Sequence, residues 1–180
     1  MSGKVPLYRL LYLFNKKSYS QENSIYVIDS FPVPVCDNIR IPNSKIYKDE
    51  EFRGYNASKR CYFYGLKVHL AVTQDGEPIE FFLTQGAVSD TRALEGYVFD
   101  LPEGSTIYGD KAYNYYEIED FLKEIDSINL QPIRKKNTKR PLKPWFDIVQ
   151  KLHRKMIETT NSLITKLFPK KIHAVIDNSK

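Results

Sequence analysis

The sequence lacks most of the signatures that announce a function. No run approaches the roughly 18 apolar residues that a membrane span needs, and the N-terminal stretch VPLYRLLYLF is broken by Arg9 and carries no small-residue cleavage site. Only two cysteines occur in 180 residues, Cys36 and Cys61, far apart and outside any CxxC or Cys/His ligand spacing. Neither a disulfide framework nor a zinc site is supported, and two buried free thiols in a cytoplasmic protein are expected. His69, His153 and His173 are scattered without HExxH spacing, and P-loop, Rossmann, nucleophile-elbow and kinase signatures are absent, as is any internal repeat. What remains, 42% hydrophobic and 27% charged residues, describes one ordinary domain with a sizeable core.

Charge is unevenly spread. The net charge is +5, yet RKKNTKRPLKPWFDIVQKLHRK, from Arg134 to Lys155, holds nine Lys or Arg against the single acid Asp147, a local +8 that leaves −3 for the rest. Such a block, interrupted by Pro141, Pro144 and Trp145, fits a phosphate footprint or a solvated loop equally well on charge alone.

Periodicity gives the elements. SIYVID (Ser24 to Asp29) is a short strand that ends in a carboxylate and is stopped by Pro32 and Pro34. Arg60 to Thr73 alternates, with Tyr62, Tyr64, Leu66, Val68, Leu70 and Val72 on one face; Asp75-Gly76 is a turn signal, and Pro78 to Thr84 the return strand of a hairpin. Ser89 to Asp100 opens as a short capped helix. TIYG (Thr106 to Gly109) is a strand delivering Asp110, Asn114 with Glu117 resembles a capping box for the next helix, and Ile128 to Ile133 is the following strand. A last helix runs from about Pro144 to Phe168, with Trp145, Val149, Leu152, Met156, Leu163 and Leu167 inward and Lys151, Arg154, Glu158, Asn161 and Thr165 on a polar stripe. The segment from Phe31 to Lys59 reads as a long loop. This order predicts an α/β fold, a mixed five-stranded sheet with helices on its faces.

Three carboxylates stand at positions where a scaffold can aim them into one crevice: Asp29 and Asp110 at strand ends and Glu158 on a helix face. Converging carboxylates repel unless cations neutralise them, and hard divalent ions such as Mg²⁺ accept oxygen ligands. Spacing alone is non-specific among 22 acids. Asp110 could cap a turn, and Glu158 could pair with Arg154 at i, i+4.

Six segments in order carry more: IDSFPVPVCDNIRI (Ile28 to Ile41), SKRCYFYGLKVHL (Ser58 to Leu70), IYGDKAYN (Ile107 to Asn114), PIRKKN (Pro132 to Asn137), RKMIETTNSL (Arg154 to Leu163) and FPKKIHAV (Phe168 to Val175). Together they resemble the DDE transposases of bacterial insertion sequences. The resemblance implies an RNase H-like, retroviral-integrase-like fold over residues 25–175, with 1–24 a remnant N-terminal segment and 176–180 a tail of a truncated copy. It places the catalytic, metal-binding carboxylates at Asp29, Asp110 and Glu158, with two Mg²⁺ or Mn²⁺ ions as cofactors. The implied reaction is hydrolysis of phosphodiester bonds at the ends of a mobile element, followed by attack of the freed 3′-hydroxyl on target DNA. DNA is the implied partner, with two copies meeting as a homodimer in the DNA complex, and the basic groups Arg134, Lys135, Lys136, Lys139, Arg140, Lys151 and Arg154 are the expected DNA contacts.

The segment around the glutamate departs from the family's Tyr, Arg, Glu, Lys pattern. Arg154 and Glu158 keep their spacing, but Lys151 stands at the tyrosine position and Thr165 at the lysine position. An inactive relic or adapted DNA-binding protein that keeps the fold is the alternative; a stand-alone nuclease is a third class.

Overall fold

The computed structural model of the chain describes residues 25–37, 46–57, 59–134, 137–141 and 146–167, apart from some side chains in the first strand and last helix. Its elements are β1 (Ile25–Asp37), β2 (Arg53–Asn56), β3 (Cys61–Thr73), β4 (Pro78–Gln85), α1 (Asp90–Glu95), β5 (Thr106–Gly109), α2 (Tyr116–Ile125), β6 (Asn129–Pro132) and α3 (Phe146–Leu167). The sheet runs β2-β3-β1-β5-β6, with β4 also paired to β3. β1 is antiparallel to β3 and parallel to β5, and β5 is parallel to β6. The alternating β-branched and aromatic residues of β3, the Asp75-Gly76 turn and β4 form the expected hairpin.

The first part of the chain departs from expectation at two places. β1 does not stop at Asp29 but continues through Pro32 and Pro34 to Asp37. Its parallel partner β5 covers only Ile25 to Ile28. Beyond that point β1 has β3 on one side, and a proline, which has no N–H to donate, is tolerated on a strand with an open edge. The bulge between Pro34 and Cys36 lies opposite Gly65, where an added Cβ would stand 2.4 Å from the Val33 carbonyl oxygen. The supposed loop from Phe31 to Lys59 likewise contains β2, which pairs with the first residues of β3 and makes a sixth strand. β2 and β4 thus share one edge of β3 end to end.

Both faces of the central strands are covered. Tyr26, Ile28, Ile107 and Leu130 pack against Leu94 of α1 and Ile118 and Leu122 of α2. On the opposite face Val27, Leu70, Val72 and Tyr108 pack with Phe146 and Val149 of α3. Ser89 caps α1, accepting from the Arg92 amide, and α1 ends at Glu95, short of the expected Asp100. The capping box before α2 does not form: Tyr115 is the N-cap without a side-chain bond, the Tyr115 hydroxyl donates to Glu117, and Asn114 accepts from Arg134.

α3 is rotated from the expected stripe. Phe146, Val149 and Thr160 face the sheet, Thr160 donating to the Gly76 carbonyl at 3.1 Å, whereas Leu152 is 66% exposed. Trp145 and the side chains of Met156, Leu163 and Leu167 lie outside the described residues. Among the described residues no helix is long and apolar enough to cross a membrane. Cys61 is exposed rather than buried, because it begins β3 at the sheet's end; the side chain of Cys36 lies outside the described residues.

Candidate active site

Strand pairing aligns Ile28 with Gly109, so Asp29 and Asp110 are the next residues on two adjacent parallel strands. Neighbouring strands are about 4.8 Å apart, and alternation gives both residues the face already occupied by Val27 and Tyr108, the face of α3. Both line one cleft, walled by Val27, Tyr108 and Ile133, with the Arg154 side chain entering from α3.

Backbone groups orient each carboxylate. Asp29 Oδ1 accepts from the Ser30 amide at 2.8 Å. Asp110 is the N-cap of a 3-10 turn, Lys111–Tyr113, and its Oδ1 accepts from the Ala112 amide at 2.7 Å. Burial pushes the Asp29 carboxyl up to about 6, the Ser30 amide opposes that shift, and the charges of Asp110 and Asp90 add to it. Asp110 is raised as well, again chiefly by burial. Arg154 lowers both. An acid pair that is hard to ionise together, with a cation already turned toward it, has the chemistry of a cation site.

Glu158 is placed differently. Its carboxylate accepts from Arg154 Nε at 2.9 Å, one turn along α3, with both side chains more than half exposed. It does not line the cleft, and among the described residues no three acidic, histidine or cysteine side chains converge as a metal site. The sheet therefore brings Asp29 and Asp110 together, and Glu158 is linked to them through Arg154.

The basic block divides. Arg134 turns inward, its guanidinium 11% exposed and bound by two bonds, at 2.5 and 2.9 Å, to the buried carboxylate of Glu119. Arg140 makes two 2.7 Å bonds to Asp120 and lies over the Tyr116 ring. These pairs tie the chain after β6 to α2. Lys139, Lys151 and Arg154 are exposed, and Lys135 and Lys136 lie outside the described residues.

Sequence reasoning missed the polar groups behind the aspartates. Asp90 accepts from Ser30 Oγ at 3.0 Å and from Lys67 Nζ at 3.3 Å, and buried His69 bonds Tyr113 and Thr84. The available signal was a lysine and a histidine inside the apolar run of β3.

A family model, transposase DDE domain, matches residues 19–175, nearly the whole chain. No curated protein matches the chain. With its parallel β1/β5 pair beside an antiparallel hairpin, and helices on both faces of an RNase H-like sheet, the chain belongs to the transposase DDE domain family, whose role is DNA transposition.

Proposed function

We propose that this chain is the catalytic core of an insertion-sequence transposase, cleaving phosphodiester bonds at element ends and joining the freed 3′-hydroxyl to target DNA. The observation that carries the reading is the pair Asp29 and Asp110, side by side in one cleft and both made harder to ionise by burial. Asp29, Asp110 and Glu158 are the proposed ligands of two Mg²⁺ or Mn²⁺ ions. When bound, such ions activate a water or hydroxyl and neutralise charge developing on the phosphate. The chain's own part is to hold two carboxylates rigidly on the sheet and to supply the third from α3, where Glu158 would exchange Arg154 for the cation site. Freed from that pair, Arg154 is suited to a phosphate.

DNA would lie across the α3 face. Lys139 and Lys151 are the exposed cations proposed to contact its backbone, together with Lys135 and Lys136, and two copies would meet on paired ends. Arg134 and Arg140, engaged with Glu119 and Asp120, serve first to hold the connection that leads to α3.

A second reading, a fold-retaining DNA-binding relic, is favoured by one observation: the Glu158 carboxylate is held by Arg154 outside the cleft. Nicking of a labelled element-end duplex in Mg²⁺ or Mn²⁺ separates the two. The active-core reading expects cutting by the parental chain and none by Asp29→Asn, Asp110→Asn or Glu158→Gln. Metal-independent binding without cutting would favour the relic.

A further inference from the structure

We infer that Ser30, Tyr113 and His69 are positioning residues for the two aspartates, joined with Asp90 in a hydrogen-bonded strap on the sheet face opposite α3. The inference rests on reading Asp29 and Asp110 as the reactive pair.

The strap has two arms that meet where Tyr113 faces Ser30. Thr84 Oγ1 lies 3.1 Å from His69 Nε2, and His69 Nδ1 lies 3.1 Å from the Tyr113 hydroxyl. Tyr113 meets the Ser30 side chain, which opposes the effect of burial on its hydroxyl, and Ser30 Oγ donates to Asp90 at 3.0 Å. Lys67 closes the far end, donating to the carbonyl of Val88 at 2.6 Å and to Asp90. His69 and Tyr113 are fully buried, and the His69 ring stacks on Phe82 at 4.6 Å.

The carboxylate sets the direction of the bond at Ser30. Asp90, paired with Lys67, accepts only, so the single hydroxyl proton of Ser30 goes to it. A neutral His69 carries one ring proton, so one of its nitrogens donates and the other accepts between Tyr113 and Thr84. Burial, which pushes His69 down to about 4, keeps the ring neutral as this requires.

Each aspartate is attached to the strap through a neighbour. Ser30 follows Asp29 and supplies the amide that holds its carboxylate. Tyr113 ends the 3-10 turn that Asp110 caps, and its ring lies against Gly109, where an added Cβ would stand 3.1 Å from Tyr113 Cδ2. The two arms thus restrain β1 at Ser30 and the turn after β5 at Tyr113. Such outer groups commonly decide how well acidic ligands hold their geometry.

Amide hydrogen exchange by NMR reads this directly and without metal, at Ser30 N–H, bonded to Asp29, and Ala112 N–H, bonded to Asp110. Tyr113→Phe and Ser30→Ala each delete hydroxyl bonds, and both amides should exchange about tenfold faster, the size expected for one lost hydrogen bond in a local opening. The Leu122 and Ile107 amides should stay at parental rates, which a general loss of stability would not allow. Ser30→Thr, which keeps the hydroxyl, should restore protection. Parental exchange at both amides in Tyr113→Phe and in Ser30→Ala overturns the inference. Titration of the parental chain with Mn²⁺ is the separate check: no binding there counts against the metal reading of the aspartates, while the amide rates still decide the positioning.

Discussion

Asp29 and Asp110 stand on the middle strands of a sheet covered on both faces, whereas Arg154 and Glu158 stand on a helix that reaches that sheet through Phe146, Val149 and Thr160. The first pair is placed by backbone: ladder register, an amide on each carboxylate, and a polar strap behind. The second pair is placed by side-chain rotamers on an exposed surface. The two pairs are therefore held by different means: one is fixed by folding, and the other is open to rearrangement by solvent and ligands. Exposed i, i+4 pairs are worth about half a kcal/mol, so the Arg154 to Glu158 pair yields to a stronger charge at little cost.

The largest effects test the fixed half. Asp29→Asn or Asp110→Asn should lower metal-dependent nicking by about a thousandfold or more, since the several kcal/mol of charge stabilisation in such sites each span decades in rate. The effects of the two together should not add, because the first loss already disables the site. Residual cutting at a tenth of the parental rate would mean that the paired aspartates are not the reactive groups.

Next in size is Arg134→Ala. It leaves the buried Glu119 without its two-bonded partner and should destabilise the fold by about 3 to 5 kcal/mol in urea unfolding. Arg140→Ala, whose partner Asp120 is exposed, should move the midpoint far less. Equal effects would break the distinction between an inward and an outward end of the basic block.

Acid unfolding gives a third, smaller contrast. Asp29 has its carboxyl raised from 3.8 to about 6 in the fold, so between these values the folded state binds the extra proton and stability falls as pH rises. His69 has the opposite sign. Lowered from 6.5 to about 4, it stays neutral in the fold while the unfolded chain takes up a proton, so its contribution is lost as pH falls through the same window. The two slopes oppose each other. Asp29→Asn removes one, and its stability relative to the parental chain should rise by about 1.4 kcal/mol per pH unit from pH 4 to 6. Above pH 6 the variant should be the more stable by about 3 kcal/mol, the cost of a buried charge having been removed. Parallel pH curves for the two proteins would contradict the raised carboxyl.

The smallest effect belongs to the helix. Lys151→Ala should reduce the salt slope of DNA binding by about one unit if that lysine meets one phosphate. Arg134→Ala, at temperatures where it stays folded, should leave the slope unchanged because its guanidinium is occupied by Glu119.

These contrasts also mark what the sequence made legible. β5 was readable to the residue, because TIYG has strong strand formers and ends in a turn-capping aspartate. The hairpin was readable from Asp75-Gly76 and strict alternation. β1 beyond Asp29 was not: proline rules assume that both edges of a strand are used, and only the sheet order reveals the open edge. β2 was hidden because four residues, one of them glycine, carry little periodicity. The rotation of α3 was misjudged because helical spacing offered two apolar stripes, and the choice between them rests on which residues meet β1 and β5. Asp29 and Asp110 could be nominated from strand ends and Glu158 from a helix face, and the resemblance names the same three. The strap through His69, Tyr113, Ser30 and Asp90 joins four separate elements and turns of the chain by single side chains, and no spacing rule encodes it.

We propose that the aspartate pair forms a cation site on the sheet and that Glu158 joins it from the helix. Crystals of the chain grown or soaked with Mn²⁺ and measured for anomalous scattering test it most directly. The account predicts a peak between the Asp29 and Asp110 carboxylates, with Glu158 turned from Arg154 toward the metal and no peak in Asp29→Asn. A peak elsewhere, or bound Mn²⁺ at the aspartates with Glu158 still paired to Arg154, would contradict it.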